Sequence, residues 1–226
     1  MWSIGFSKDI MPKNGEGSFI FSKFLNLKPD KQMRIINAAI REFAQKGYEN
    51  ASTNQIVKEA DISKGILFHY FKNKKDLFLF LYDFAVDTLK EDYFEKLDTT
   101  SRDIFERLRQ VSVYKLGIVG RYPEIYNFLM AAHFEESAEV RHDIAKRDNE
   151  LLAKGYGKVY ENIDFSLFKE GVDIKKAIEI ISWSVEGFAM KEQEKLKHSV
   201  DLEKDYQSIL AGFDPYLDML KKSFYK

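Results

Sequence analysis

From Pro29 onward the chain repeats apolar residues at three- and four-residue spacing. Ile35, Ile36, Ala39, Ile40 and Phe43 fall on one side of a helix that Gly47 ends. Ser52, with Gln55 three residues on, reads as a capping box opening a short second helix whose buried side is Ile56, Val57 and Ala60. Asp61 stands where the chain must leave that helix in a left-handed conformation, which Asp tolerates and Gly adopts more easily. Ser63 then caps a third helix from about Lys64 to Phe71. Beyond Asn73 a long helix begins with Leu77, Phe78, Leu79, Phe80 and Leu81 in succession. Apolar around most of its circumference, it is expected to be sandwiched between two bodies.

The periodicity predicts further helices from Asp103 to Gly120, Pro123 to Phe134, Ser137 to Tyr160, Asp173 to Lys197, and Leu202 to Phe224 with a kink at Pro215. Strand-like alternation is nowhere sustained and no internal repeat is visible, so the predicted fold is all-α. Residues 1–28 show no period and carry Pro12, Gly15 and Gly17, the pattern of a flexible N-terminal extension; its aromatics, Trp2, Phe6, Phe19, Phe21 and Phe24, have no predicted docking place. The expected division is therefore an extension over 1–28, a three-helix unit over 29–75 and a larger helical body over 76–226.

The third helix, in "DISKGILFHYFKNKKDL", is the informative one. At about 100° per residue, Leu67, Tyr70 and Phe71 share one arc, the width of a core stripe. Lys64, Gly65, Ile66, Phe68 and His69 occupy the rest. An isoleucine and a phenylalanine beside a lysine and a histidine, on a helix of about two turns, make a contact surface and not a solvated one. Gly65 lowers helix propensity by about 1 kcal/mol relative to Ala, and in exchange it permits close approach of another backbone. Lysines also follow two predicted caps: Lys64 after Ser63, and Lys74 and Lys75 after Asn73. Cations at helix N-termini are unfavourable by a few tenths of a kcal/mol unless an anion binds there, and phosphate reverses the sign. Short helices with phosphate-ready starts flanking an apolar and basic face describe a helix-turn-helix whose third helix enters a major groove. Ile66 and Phe68 are then placed for thymine methyls and Lys64 for guanine O6/N7.

Charge agrees. The net charge is −1, but residues 1–82 hold 13 Lys+Arg against 8 Asp+Glu, while the remainder holds 22 against 28. A basic first third joined to an acidic body suits a polyanion-binding module carried by something else. The chain has no cysteine, which removes disulfides, thiolate zinc sites and thiol chemistry. No apolar run approaches the ~18 residues that span a bilayer. Lys8 and Asp9 interrupt any secretory signal, so the expected location is cytoplasmic. His69, His133, His142 and His198 lack metal-protease spacing, and no nucleophile elbow, Walker loop or dinucleotide fingerprint occurs. "AKGYGK" at 153–158 follows no strand and reads as a helix break. Neither catalytic nor metal residues, nor a cofactor, are expected.

The stretch "IINAAIREFAQKGYENASTNQIVKEADISKGILFHYFKNKKDL" resembles the tetracycline-repressor-like (TetR) transcriptional regulators, over Lys31 to about Leu81, with glycine, cap, aromatic and lysine at that family's spacing. The resemblance implies an N-terminal helix-turn-helix DNA-binding domain and a C-terminal helical ligand-binding and dimerisation domain. It implies phosphate contacts by Ser52 and Thr53, groove contacts by Lys64, Gly65 and His69, and a phosphate clamp at Lys74; with Ser63, Ile66 and Phe68 from the helix itself, these are the candidate DNA-binding residues. Two departures stand out: Asp61 replaces the usual glycine, and Phe68 takes the place of a tyrosine common in the family, losing a hydroxyl.

On this reading the protein is a dimeric repressor, released from a palindromic double-stranded operator by a small hydrophobic effector. Arg109, Tyr114, Ile118, Tyr122, Tyr126, His133 and Trp183 are the candidate effector contacts, apolar walls with a few orienting polar groups. The last two helices carry stripes, Ile178, Ile181, Val185 and Phe188, then Ile209, Phe213, Leu217 and Leu220, expected to form a four-helix homodimer interface. The alternative is a DNA-binding architectural or partner-regulated protein with no small-molecule effector.

Overall fold

The structure, a computed structural model, describes residues 21–96, 98–196 and 202–226. Their order is α1 (Ser22–Leu25), α2 (Pro29–Asn50), α3 (Thr53–Glu59), α4 (Lys64–Tyr70), α5 (Lys74–Lys96), α6 (Ile104–Arg121), α7 (Pro123–His133), α8 (Arg141–Tyr160), a 3-10 turn at Phe165–Leu167, α9 (Ile174–Leu196) and α10 (Leu202–Phe224). Among the described residues the β-pairing is a single bridge, Phe168 with Tyr225. The predicted boundaries hold to within a few residues except at α8. There the chain makes a separate turn first, with the amides of Val140 and Arg141 donating to the Ser137 carbonyl. The expected break at 153–158 does not occur, since α8 runs through it. α10 spans Leu202–Phe224 with Pro215 inside it, as expected.

The chain divides into two compact units. One runs to Glu95 and resumes over Tyr122–Leu152; the other comprises Lys96–Arg121 and Ala153–Lys226. In the first, α2 packs most extensively against α7. Its core joins Ile35, Ile36, Ala39 and Phe43 to Ile56, Leu67, Phe71, Phe78, Leu81 and Phe128, all buried. The all-round apolar start of α5 is explained within this unit. Phe80 meets Phe21, Phe24 and Phe71 on one side, while Phe78 meets Phe43, Tyr48 and Phe128 on the other.

Of the segment expected to be a flexible extension, residues 21–28 are described, and they are folded onto this core. Phe24 is fully buried, with ring centroids 5.0 Å from Phe71 and 5.8 Å from Tyr70. The Gln32 amide donates to the carbonyls of Phe24 (3.0 Å) and Leu25 (2.7 Å), satisfying groups that so short a helix leaves open. α1 thus backs the end of α4 from behind.

In the second unit Ile104, Phe105 and Leu108 pack with Ala177, Ile181, Phe213 and Leu217. Arg107 is fully buried. Its guanidinium donates to the carbonyls of Val159 and Glu161 (3.3 Å each), of Thr99 (2.9 Å) and of Ser101, gathering the C-terminal end of α8 and the approach to α6 around one cation. The C-terminus is pinned by Lys169 N–H to the Phe224 carbonyl (2.9 Å) and Lys226 N–H to that of Leu167 (3.0 Å).

One expectation is corrected here. The stripes predicted for the dimer interface largely line this core instead: Ile181, Phe213 and Leu217 are buried in it, Ile178, Val185, Phe188 and Leu220 pack half-buried against them, and Ile209 is buried as well. Both helices are apolar on a second face, and that face is open. Ile180, Trp183 and Met190 on α9 and Tyr216 and Met219 on α10 are exposed, Trp183 at 65% and Met190 at 70%.

Candidate nucleic-acid interface

The segment from α2 to the start of α5 is built by local rules that set each element's start. At Gly47 α2 leaves helical geometry (φ 68°, ψ 177°), freeing the chain to turn toward α3. Ser52 is extended and its Oγ accepts from Gln55 N–H at 3.4 Å, while its own N–H donates to the buried Glu42 carboxylate at 2.9 Å. The start of α3 is therefore fixed to α2, and Thr53 is its first helical residue, half-buried. Arg41 pairs with Glu59 from the opposite end, its Nε donating at 2.7 Å.

Asp61 has φ 53°, the left-handed turn expected of it, and Ile62 N–H closes the turn on the Val57 carbonyl at 3.0 Å. Ser63 Oγ accepts from Ile66 N–H at 3.3 Å, capping α4. Leu67 and Phe71 are buried and Tyr70 half-buried, so α4 is anchored by the predicted arc. Ser63, Lys64, Gly65, Ile66 and His69 are exposed and Phe68 is half-buried. Lys64 Nζ lies 6.0 Å from the centroid of the Phe68 ring, so the cation and the ring share one face. A Cβ at Gly65 would have its nearest neighbour, Ser63 Oγ, 4.0 Å away; nothing within the chain demands glycine there.

At the start of α5, Asn73 Oδ1 accepts from Asp76 N–H at 2.7 Å. Lys74 Nζ donates to the Glu49 carbonyl at 3.0 Å and lies 4.8 Å from the Tyr48 ring centroid. It is held, not free. A cleft of about 640 Å³ opens beside it, lined by Tyr48, Glu49, Asn73, Lys74, Lys75, Ser137 and Glu139. Chemically this surface offers short apolar side chains, cations and exposed helix starts to a polyanion.

The predicted effector residues are divided between the two units. In the second, Arg109 forms a two-point pair with Asp214 (2.7 and 3.0 Å) that holds the guanidinium above its ordinary pKa, Tyr114 lies under the Arg121 guanidinium, and Trp183 is exposed. The side chain of Ile118 lies outside the described residues. In the first, Tyr122 precedes α7, Tyr126 is half-buried and His133 is exposed, its Nδ1 3.1 Å from Asp148. Asp148 also accepts from the Tyr82 hydroxyl, and burial followed by that bond pushes the Tyr82 phenol far up, so it stays a donor. Among the described residues no three His, Asp or Glu side chains group as metal ligands, and no helix is long and apolar enough to cross a membrane.

Sequence reasoning missed Tyr48. Its N–H donates to Glu135 (2.6 Å) and its hydroxyl to Glu139. Burial first, then the Glu139 bond, pushes its phenol well up as well. The only local signal was the "GY" pair after the helix end, which carries no hint of partners about 90 residues away.

Compared with known proteins, residues 35–81 match the profile of the bacterial regulatory proteins of the tetR family. The fatty acid metabolism regulator protein of Bacillus subtilis (strain 168) is 28% identical over 170 residues, 70% of this chain and 81% of that protein. A TetR family transcriptional regulator from Chloroflexus aurantiacus J-10-FL shares the fold with a TM-score of 0.63 at 19% identity, over 91% of this chain and 98% of that one. The transcriptional regulator FadR from Bacillus subtilis, in complex with stearoyl-CoA, does so with a TM-score of 0.53 at 23% identity, over 79% and 95%. The matched segment contains the elbow, all three capped helix starts and the exposed face of α4, and over these residues the chain is similar to the bacterial regulatory proteins of the tetR family.

Proposed function

We propose that this protein is a homodimeric repressor that reads an inverted-repeat operator with α4 and leaves it when a small lipophilic effector binds. The observation that carries the DNA reading is the exposed face of α4, where Lys64, Gly65, Ile66, Phe68 and His69 stand together behind a capped start. Ser52, Thr53 and Lys74 are the proposed phosphate contacts and set position; the α4 face sets sequence. A two-fold dimer places its half-sites about 34–36 Å apart, one helical turn.

The effector reading is supported by the relatives: a fatty acid metabolism regulator at 28% identity and a fold neighbour that holds stearoyl-CoA. A long-chain acyl-CoA is the chemistry to test first. To take operator occupancy from 99% to 1%, such an effector must prefer the released state by about 5.5 kcal/mol.

The test is selection of binding sites from random double-stranded DNA, followed by titration of the selected duplex with a long-chain acyl-CoA. Enrichment of one inverted repeat and release by acyl-CoA are expected. Lys64→Ala and His69→Ala are expected to change which sequence is enriched. Recovery of no sequence at low salt would reject the operator reading, and DNA affinity unmoved by acyl-CoA would reject that effector class.

A further inference from the structure

The geometry points to Glu135 and Glu139, at the corner between α7 and α8, as positioning residues for DNA binding: through Tyr48 they hold the Lys74 ammonium at the start of α5. This rests on the reading of Lys74 as a phosphate contact.

Tyr48 is held by this corner at its backbone and at its phenol. Its backbone N–H donates to Glu135 Oε2 at 2.6 Å, and its phenol donates to Glu139. Glu135 is held in turn, since Oε1 accepts from Ser137 N–H at 3.0 Å. The approach depends on the elbow before it. A Cβ at Gly47 would lie 3.1 Å from Glu135 Oε2, so a side chain there would press on the carboxylate. With backbone and phenol tied, the ring presents one face, and the Lys74 ammonium sits 4.8 Å from its centroid while donating to the Glu49 carbonyl.

Lys74 is half-buried with the cleft of about 640 Å³ beside it, and the contacts of its ammonium are the ring and the carbonyl. α7 and α8 thereby act on the DNA side of the molecule through a chain of three contacts, carboxylate to phenol, ring to ammonium, and ammonium to phosphate.

Bare electrostatics predicts the opposite sign, which makes the proposal testable. Glu139 is an exposed carboxylate beside a surface meant for phosphates, so removing it should tighten DNA binding if charge alone matters. If it positions Lys74, removing it should weaken binding. The experiment measures the affinity of the full chain for a random-sequence 30-base-pair duplex by fluorescence anisotropy across a salt series. Lys74→Ala is the reference, expected to flatten the log–log salt slope by about 0.9, one phosphate contact. Tyr48→Phe, which keeps the ring and loses the hydroxyl, and Glu139→Ala are each expected to weaken binding about threefold and to flatten the slope in the same direction. Glu139→Gln, which keeps an acceptor for the phenol, is expected to restore most of the loss. On a Lys74→Ala background neither change should have further effect.

Tighter binding by Glu139→Ala, unchanged binding by Tyr48→Phe, or losses that persist in full without Lys74 would each overturn the proposal while leaving the Lys74 reading intact. An unchanged salt slope in Lys74→Ala itself would remove that reading and the proposal together. Thermal unfolding of each variant separates these outcomes from misfolding.

Discussion

At Gly47 the backbone takes φ 68° and ψ 177°, a region that residues with a Cβ enter only at a cost of about 1–3 kcal/mol. Gly47→Ala is therefore expected to lower unfolding stability by about that amount, with a further loss from displacing Glu135. Urea unfolding checks it, and an unchanged midpoint would mean that the elbow can straighten without cost. Asp61, at φ 53°, is a milder case because Asp tolerates the left-handed region. These two residues also show what a sequence gives up at this scale. The caps at Ser52, Ser63 and Asn73 were legible because each acceptor and its donor lie three residues apart. Tyr48 and Glu139 lie 91 apart. No local pattern announces a bond across that distance, and "GY" read only as a helix stop.

Helices carry the next level of argument. Their positions could be read because apolar spacing, proline at the first turn and glycine at the stop are properties of single segments. Which face of a helix meets which neighbour was less accessible. α9 and α10 each have two apolar faces, and periodicity alone picked the one that the unit's own core uses. α1 escaped because four residues show no period, although its buried Phe24 is central to the aromatic cluster behind α4. Side-chain pairs then tie the elements together: Arg147 to Asp83 at 2.8 Å, and Lys75 to Asp143 at 2.7 Å, both between α5 and α8. The hydrogen bond from Lys75 holds the Asp143 carboxyl below its ordinary pKa. A carboxyl depressed in the folded state stabilises the fold above its unfolded pKa, near 3.9, and loses that contribution as pH falls through the folded value. Asp143→Asn is thus expected to lower stability at pH 6, and the difference is expected to shrink as pH falls below the unfolded carboxylate value. Both side chains are more than a third exposed, so solvent screening keeps the difference small. Urea midpoints between pH 2 and 6 measure it, and an offset that stays constant across that range would contradict the ion-pair origin.

For the molecule as a whole, the open face of α9 and α10 sets the last expectation. Ile180, Trp183, Gly187 and Met190 recur at spacings of three, four and three residues, and Gly212, Tyr216 and Met219 at four and three. Each set is a continuous stripe along one side of its helix. Five large apolar side chains on such stripes form a patch that water-exposed surfaces seldom keep. Glycine at 187, where a Cβ would meet nothing within 4 Å, leaves a shallow groove between Trp183 and Met190 for a facing side chain. Two copies joined by this face would form a four-helix interface with a two-fold axis, and the axis would impose the inverted repeat on the operator. Because the core uses the other stripes, a charge here should separate the protomers without unfolding them. Trp183→Glu combined with Met190→Glu is expected to give a monomer mass by light scattering at micromolar concentration, with helical content unchanged. Its operator affinity should fall steeply and its log–log salt slope should roughly halve, because a single head keeps only its own phosphate contacts and loses the second half-site. A double variant that remained a dimer would move the interface elsewhere.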